Sequence, residues 1–237
     1  MTVKVVTDST SDIPPEVAQE LGITVVPLYV HFGSEVYRNG VDLGAEEFYE
    51  RLMQGSILPK TSAPSPGTFT EVYDKLAEET DEIISIHIST KLSGSYESAL
   101  MGKEGLGKSC RIEVVDSFQA SMGIGVMAIA AAKAARAGNN LEQLTAMVYS
   151  YIPRTHFLGL VDTLEYLSKG GRIGKAQAFL GAILKVKPLL AMRDGEVHPL
   201  EQVRTWPKAL GRLCELVQGF HNMDEVVEEF YVDLLRV

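Results

Sequence analysis

The sequence predicts an α/β protein, with a mainly parallel α/β N-terminal domain and a smaller α+β C-terminal domain. Three observations carry that prediction. Strand-like apolar runs alternate with helix-like runs from Val3 to Tyr151, the pattern of βαβ units around a parallel sheet. The style changes after Pro153, where Asp194-Gly195 sits between two apolar runs as a hairpin turn. The 237 residues are 46% hydrophobic and 22% charged, too apolar for a disordered chain, and the 21 glycines show no collagen-like triplet period. At roughly 150 residues per domain this length suits one to two domains. The boundaries read from the sequence are 1–152 and 153–237, with no linker between them.

Val3 to Val6 is a short apolar strand feeding the polar segment Thr7-Asp8-Ser9-Thr10-Ser11-Asp12. Pro15 suits a first helical position and Gly22 a stop, so a helix is expected over Pro15 to Leu21. Ile23 to Phe32, rich in β-branched and aromatic residues, reads as one strand. Phe48 to Met53 belongs to a short helix, and the three prolines between Pro59 and Gly67 mark a loop. Phe69 to Thr80 is helical, Glu82 to Ile88 is a strand, and a helix begins at Ser93 after a Ser-Gly-Ser turn. Cys110 to Val115 is a strand, Ser121 to Ala137 an Ala-rich helix ending at Gly138, and Leu141 to Tyr151 another helix. In the second part, Thr155 to Val161 is a strand, Thr163 to Leu167 a short helix and Lys175 to Leu184 an apolar helix. Lys187 to Met192 and Val197 to Thr205 form the hairpin, Pro207 to Gly219 is a helix, and Val226 to Leu235 is the last element.

Several classes of function are disfavoured. The formal charge of −9 gives no basic face for nucleic acid. The N-terminus lacks the apolar core of a signal peptide. The longest uncharged stretch, Ser117 to Ala132, is too short for the ~20 apolar residues of a spanning helix. Cys110 and Cys214 read as buried free thiols, and together these features place the chain in the cytoplasm. The five histidines have no HxxxH or HExxH spacing, and no CxxC occurs, so no metal site is expected. Neither a GxSxG elbow nor a GxGxxG fingerprint is present.

Four polar loops fall at the carboxyl ends of expected strands: Asp8-Ser9-Thr10, Thr61 to Ser65, Ser89 to Tyr96, and Asp116-Ser117. In an open α/β sheet that edge binds ligands. Hydroxyls ahead of a helix N-terminus either cap the helix or, with its unpartnered N–H groups, receive an anion. Ser93-Gly94-Ser95 is the best instance, since Gly94 lets the backbone approach a ligand. Gly170 to Lys175 reads equally as a phosphate nest with a cationic arm or as a tight turn. The apolar helices around Ile124 and Phe179 to Leu184 form either plain core or the walls of a cavity for a long apolar ligand with an anionic head.

In several segments the chain resembles the DegV family of bacterial lipid-binding proteins. They are Val5 to Asp12, Thr61-Ser62-Ala63-Pro64-Ser65, Ser89-Thr90-Lys91-Leu92-Ser93-Gly94-Ser95-Tyr96, Leu164 to Gly174, and Lys187-Pro188-Leu189-Leu190. The resemblance implies a two-domain protein binding one long-chain fatty acid in an apolar tunnel between the domains. Thr61 and Ser93 would contact the carboxylate, with Ser62, Gly94 and Ser95 beside them. It further implies a non-catalytic subunit that presents the fatty acid to a separate ATP-using kinase subunit and carries the acyl phosphate to phospholipid synthesis. Arg172 and Arg204 would serve the acyl phosphate or the kinase contact. No cofactor is implied. Family members continue into a last strand and a His-x-Gly-Pro-Gly segment whose His also faces the head group; the given sequence ends at Arg236-Val237 without it, which predicts a C-terminal domain incomplete relative to the family. Two other readings remain: a small hydrolase or transferase on a phosphorylated substrate with Ser93 as nucleophile, and a regulatory protein for which the ligand is a signal.

Overall fold

The structure, a computed structural model, describes residues 2–55, 57–181 and 186–220. The chain divides into two units, Met1–Thr155 and His156–Val237, each with its own sheets.

In the first unit, β1 (Lys4–Asp8) leads through a 3-10 turn at Ser9–Ser11 into α1 (Pro15–Leu21). Gly22, at φ 70°, ends that helix in the left-handed region. The strand expected over Ile23 to Phe32 is two strands in different sheets, β2 (Ile23–Val26) and β3 (Tyr29–Phe32). Pro27 has no N–H to continue the ladder. Leu28 is instead tied down by its N–H donating to Ser9 Oγ at 3.0 Å and by its carbonyl accepting from Asn39 N–H at 2.8 Å. Gly33, at φ 63°, opens a two-residue turn into β4 (Glu35–Arg38), a strand not expected from the sequence. After α2 (Ala45–Gln54), β5 (Lys60–Ser62) joins β3 antiparallel, inside a segment read as loop. At three residues on a sheet edge, it tolerates the prolines around it.

The unit continues with α3 (Pro66–Leu76), β6 (Glu82–His87), α4 (Ser95–Glu104), β7 (Arg111–Asp116), α5 (Met122–Arg136) and α6 (Leu141–Tyr151). The parallel sheet runs in the order β2-β1-β6-β7. One face packs Val6, Ile83 and Val114 against Phe69 and Tyr73 of α3 and Ala99 of α4. The other packs Val5, Ile84 and Ile86 against α1, α5 and α6 through Ala18, Ile124, Met127, Ala128 and Leu144. Each large side chain buried there contributes about 1.5–3 kcal/mol. β6 is covered on both faces, hence its unbroken burial from Ile83 to His87. Around Ile124, therefore, α5 is part of this core. Its glycines serve close packing: a Cβ on Gly125 would meet Ser11 O at 2.6 Å.

The connection from β1 leads to β2 on one side, and that from β6 leads to β7 on the other. The direction of winding therefore reverses between β1 and β6. In open α/β sheets the carboxyl edge at such a reversal forms a crevice for ligands.

The second unit comprises β8 (Leu158–Leu160), α7 (Glu165–Lys169), a 3-10 segment at Gly174–Phe179, β9 (Lys187–Arg193), β10 (Glu196–Val203) and α8 (Trp206–Gln218). The strands form an antiparallel sheet in the order β10-β9-β8. Asp194 (φ 50°) and Gly195 (φ 80°) make the two-residue turn, the left-handed pair that the Asp-Gly signal predicts. The expected helix from Lys175 is a 3-10 segment as far as Phe179, where Gly174 (φ 52°) lies so close to β10 that a Cβ would meet Val197 O at 2.7 Å. Phe179 packs with Leu164, Ala176 and Leu190, while Leu180 is exposed. Ala182, Ile183 and Leu184 of that helix, and the element expected over Val226 to Leu235, lie outside the described residues. Both cysteines are free thiols, but Cys110 is half-buried and Cys214 exposed, where both were expected to be buried.

Candidate functional site

The loops that follow β1, β6 and β7 meet at the carboxyl edge of the parallel sheet. Ser89 links two of them, its N–H donating to Gln119 O at 3.0 Å. Thr90 Oγ1 donates to Asp116 Oδ2 at 2.8 Å. The Ser89 carbonyl accepts from Leu92 N–H at 2.9 Å and from Ser93 N–H at 3.1 Å, closing the turn that presents Ser93 ahead of α4.

No side chain caps α4, as none caps α1, α2 or α5, whereas α3 and α6 are capped. Ser65 caps α3 by accepting from Thr68 N–H, and Asn140 caps α6 in a full capping box. At α4 the N-cap position is Gly94 and no side chain caps the helix. Ser93 Oγ pairs instead with Ser95 Oγ at 3.0 Å. Ser95 is fully buried, Ser93 partly so, and Gly94 is exposed. Two hydroxyls thus stand beside a helix N-terminus whose first N–H groups lack helical partners, and its dipole favours a negative group there. Of the two readings open from the sequence, capping by Ser93 does not occur.

Thr61 and Ser62 lie on β5, where Thr61 pairs with Val30 and Ser62 with Tyr29. Consecutive strand residues point to opposite faces, so the two hydroxyls do not share one. Both residues are exposed, and Ser62 Oγ is hydrogen-bonded to His31 Nε2 at 2.9 Å. Phe69 stacks edge-on against His87, with ring centroids 5.0 Å apart, so the start of α3 lies over the carboxyl end of β6.

Arg172 and Arg204 belong to the second unit, and both are exposed. Arg172 Nη1 donates to Gly170 O at 2.5 Å, folding the side chain back on its own turn. Arg204 follows β10 directly, ahead of α8. Among the described residues no group of three His, Cys, Asp or Glu is placed to hold a metal ion, and no helix is long and apolar enough to cross a membrane.

Beneath the Ser93 turn lies a polar network that the sequence reading did not assemble. Asp8, Ser85 and His87 are fully buried. Tyr73 O–H donates to Ser85 Oγ at 2.8 Å, Ser85 Oγ meets His87 Nε2 at 2.7 Å, and His87 Nδ1 meets Asp8 Oδ2 at 2.9 Å. Asp8 Oδ2 also accepts from Ile88 N–H at 3.2 Å, and its Oδ1 from Thr10 N–H at 3.0 Å and from the Thr10 hydroxyl. Burial alone would raise the Asp8 carboxyl; the hydrogen bonds from His87, Thr10 and Ile88 outweigh it and hold the group below its ordinary value. Burial raises the Tyr73 phenol well above its ordinary value, so it stays protonated as a donor. The sequence carried one signal for this set: Ser85 and His87 are two apart in a run of isoleucines, so they share a face of a buried strand. Their partner, Asp8, is 79 residues from His87.

The order Ser85-His87-Asp8 is that of a hydrolase triad, but its serine is sealed in the sheet and bonded to Tyr73. Ser93, the nucleophile of the hydrolase reading, bonds to Ser95 and not to an imidazole, while both nitrogens of His87 are engaged elsewhere.

A family model described as an uncharacterised protein of the DegV family matches residues 2–228. A DegV domain-containing protein of Deinococcus radiodurans is 40% identical over 220 residues, spanning 93% of this chain and 78% of its own. Among solved structures, a DegV family protein from Thermus thermophilus, described for its fatty acid binding, superposes with a TM-score of 0.85 at 39% identity, covering 92% of this chain and 77% of its own. DegV from Bacillus subtilis, described as a fatty acid binding protein, gives 0.84 at 34% identity with the same coverage of 92% and 77%. A stearic acid-binding protein from Eubacterium ventriosum gives 0.85 at 29% identity, covering 91% of this chain and 75% of its own. The family model and these relatives each span more than nine-tenths of the chain, and the chain belongs to the DegV family.

Proposed function

We propose that this protein binds a long-chain fatty acid, with the carboxylate received by Ser93 at the start of α4 and by Thr61 from β5, Gly94 and Ser95 lying beside the first contact and Ser62 next to the second on the other face of its strand. The observation that carries the proposal is the uncapped α4 N-terminus beside the paired Ser93 and Ser95 hydroxyls, at the reversal point of the parallel sheet. Neutral hydroxyls and backbone N–H groups hold a carboxylate without a basic surface, which suits a chain of net charge −9. The fatty acids bound by the Thermus, Bacillus and Eubacterium relatives support the ligand class. An acyl chain supplies the affinity, at about 0.8 kcal/mol per buried CH₂, and the head group supplies the orientation.

The further reading is of a cytoplasmic carrier without catalysis of its own. It presents the carboxylate to a separate ATP-using kinase subunit and passes the acyl phosphate to phospholipid synthesis, with Arg172 and Arg204 on the phosphate or the kinase. Its support is the resemblance of the loop segments and the lack of a base bonded to Ser93. Mass spectrometry of the denatured protein purified from bacteria should show a retained fatty acid, and Thr61→Ala with Ser93→Ala should weaken palmitate binding. Absence of any acyl species together with no uptake of palmitate overturns the binding reading. Failure to form acyl phosphate with any ATP-using partner overturns the presenting role alone.

A further inference from the structure

We propose that the buried Asp8–His87 pair positions the carboxylate cradle, fixing through the Ile88 amide the turn that presents Ser93. The inference rests on the fatty-acid reading of that turn.

The connection is short and continuous. Asp8 closes β1 and His87 closes β6, so the pair bridges the two strands between which the sheet reverses. One carboxylate oxygen, Oδ2, takes both the His87 Nδ1 contact at 2.9 Å and the Ile88 N–H at 3.2 Å. The other takes Thr10, so the carboxylate also anchors the loop after β1. Ile88 is followed by Ser89, whose carbonyl holds the N–H groups of Leu92 and Ser93. Turning the Asp8 carboxylate would release Ile88 and leave the Ser93 turn to its remaining anchors, Ser89 N–H on Gln119 O and Thr90 on Asp116.

Hydrogen-bond complementarity assigns the tautomer. If His87 carries its proton on Nδ1, Tyr73 O–H donates to Ser85, Ser85 O–H donates to Nε2, and Nδ1–H donates to Asp8. Every group in the chain is then satisfied. The opposite tautomer would set a bare nitrogen lone pair 2.9 Å from a carboxylate oxygen. Stability alone does not call for the pair, since an apolar filling of a buried site is often equally stable.

Two substitutions separate positioning from stability. The Nδ2 of His87→Asn falls near the position of Nδ1 and keeps the donor to Asp8, while losing Ser85. The amide of His87→Gln reaches the position of Nε2 and Ser85, while losing Asp8. His87→Gln takes a donor from a buried carboxylate and His87→Asn a neutral bond from Ser85, so His87→Gln should lose more thermal stability, and palmitate affinity is compared at a temperature where both variants are folded. Palmitate affinity should fall about tenfold or more in His87→Gln and stay within about threefold of the parent in His87→Asn. Amide hydrogen exchange at Ile88 and Ser93 should accelerate in His87→Gln only. Equal palmitate affinities in the two folded variants, or equal exchange at Ile88, overturns the proposal. Nitrogen-15 spectra of the parent protein test it without any variant, because a His87 with its proton on Nε2 and none on Nδ1 overturns it. A parent that takes up no palmitate overturns the fatty-acid reading, and the exchange measurement still decides the positioning role.

Discussion

His87 Nδ1 lies 2.9 Å from Asp8 Oδ2, and both side chains are fully buried at the point where the parallel sheet reverses its winding. A carboxylate in that position is stable only while its donors hold it charged. Its titration is therefore a property of the whole fold.

The sign of that dependence follows from the direction of the shift. Asp8 is held below its ordinary value of 3.8, so the folded state binds its proton more weakly than the unfolded chain. The resulting stabilisation is complete above the ordinary value and is lost as pH falls through the lowered one. Urea midpoints should drop as pH is taken from about 5 to below the ordinary carboxylate value, and Asp8→Asn should flatten that drop. At neutral pH the same variant should cost roughly 3 kcal/mol, because in either orientation the new amide N–H₂ faces donors, His87 and Ile88 on one side or Thr10 on the other. An unchanged acid slope in Asp8→Asn would show that other carboxylates control it.

Tyr73 gives a smaller effect. Its hydroxyl donates to Ser85 Oγ at 2.8 Å, and its ring sits in the core formed by α3 and α4. Tyr73→Phe keeps the ring and leaves one lone pair of Ser85 unmet, so stability should fall by about 1 kcal/mol with an unchanged denaturant slope. A loss several times larger would mean that the chain from Tyr73 to Asp8 acts cooperatively, beyond the sum of its bonds.

Asn140 tests a local signal. Its side chain accepts from Gln143 N–H at 3.0 Å, and Gln143 Oε1 accepts from Asn140 N–H at 3.0 Å. Asn140→Ala opens the capping box and should cost about 1 kcal/mol, read as a lower urea midpoint.

What the sequence made legible follows from the range of the forces involved. Pro15 with Gly22, and the helix Leu141–Tyr151, act within a few residues, and those bounds agree with the structure. The alternation of strands and helices gave the parallel sheet, because periodicity is a local record of burial. Pro27 was equally visible, yet its effect was missed, because redirecting β3 into another sheet depends on Ser9 and Asn39, which hold Leu28. The turn around Ser93 stood out by its hydroxyls and glycine, while the support beneath it did not. Asp8 reads as a loop residue and His87 as a lone histidine until the pairing of β1 with β6 brings them together.

Gly102 and Gly211 give opposite predictions for the same substitution. In a helix interior, alanine is favoured over glycine by about 1 kcal/mol. At Gly211 in α8 an added Cβ meets nothing within 4 Å, so Gly211→Ala should raise stability by up to that amount. At Gly102 in α4 a Cβ would lie 2.5 Å from Phe69 Cβ and 2.8 Å from Pro66 O. Those atoms belong to the stem and backbone of α3 and cannot swing aside as a flexible side-chain tip would. Overpacking of this kind typically costs 1–3 kcal/mol, enough to offset the helix propensity and leave Gly102→Ala less stable than the parent. Phe69 also stacks on His87, so the displacement should reach the Asp8–His87 pair and weaken palmitate binding beyond the loss of stability. Parallel thermal melts and palmitate titrations of the two variants check both signs, and a stabilised Gly102→Ala would mean that α3 and α4 can separate without strain.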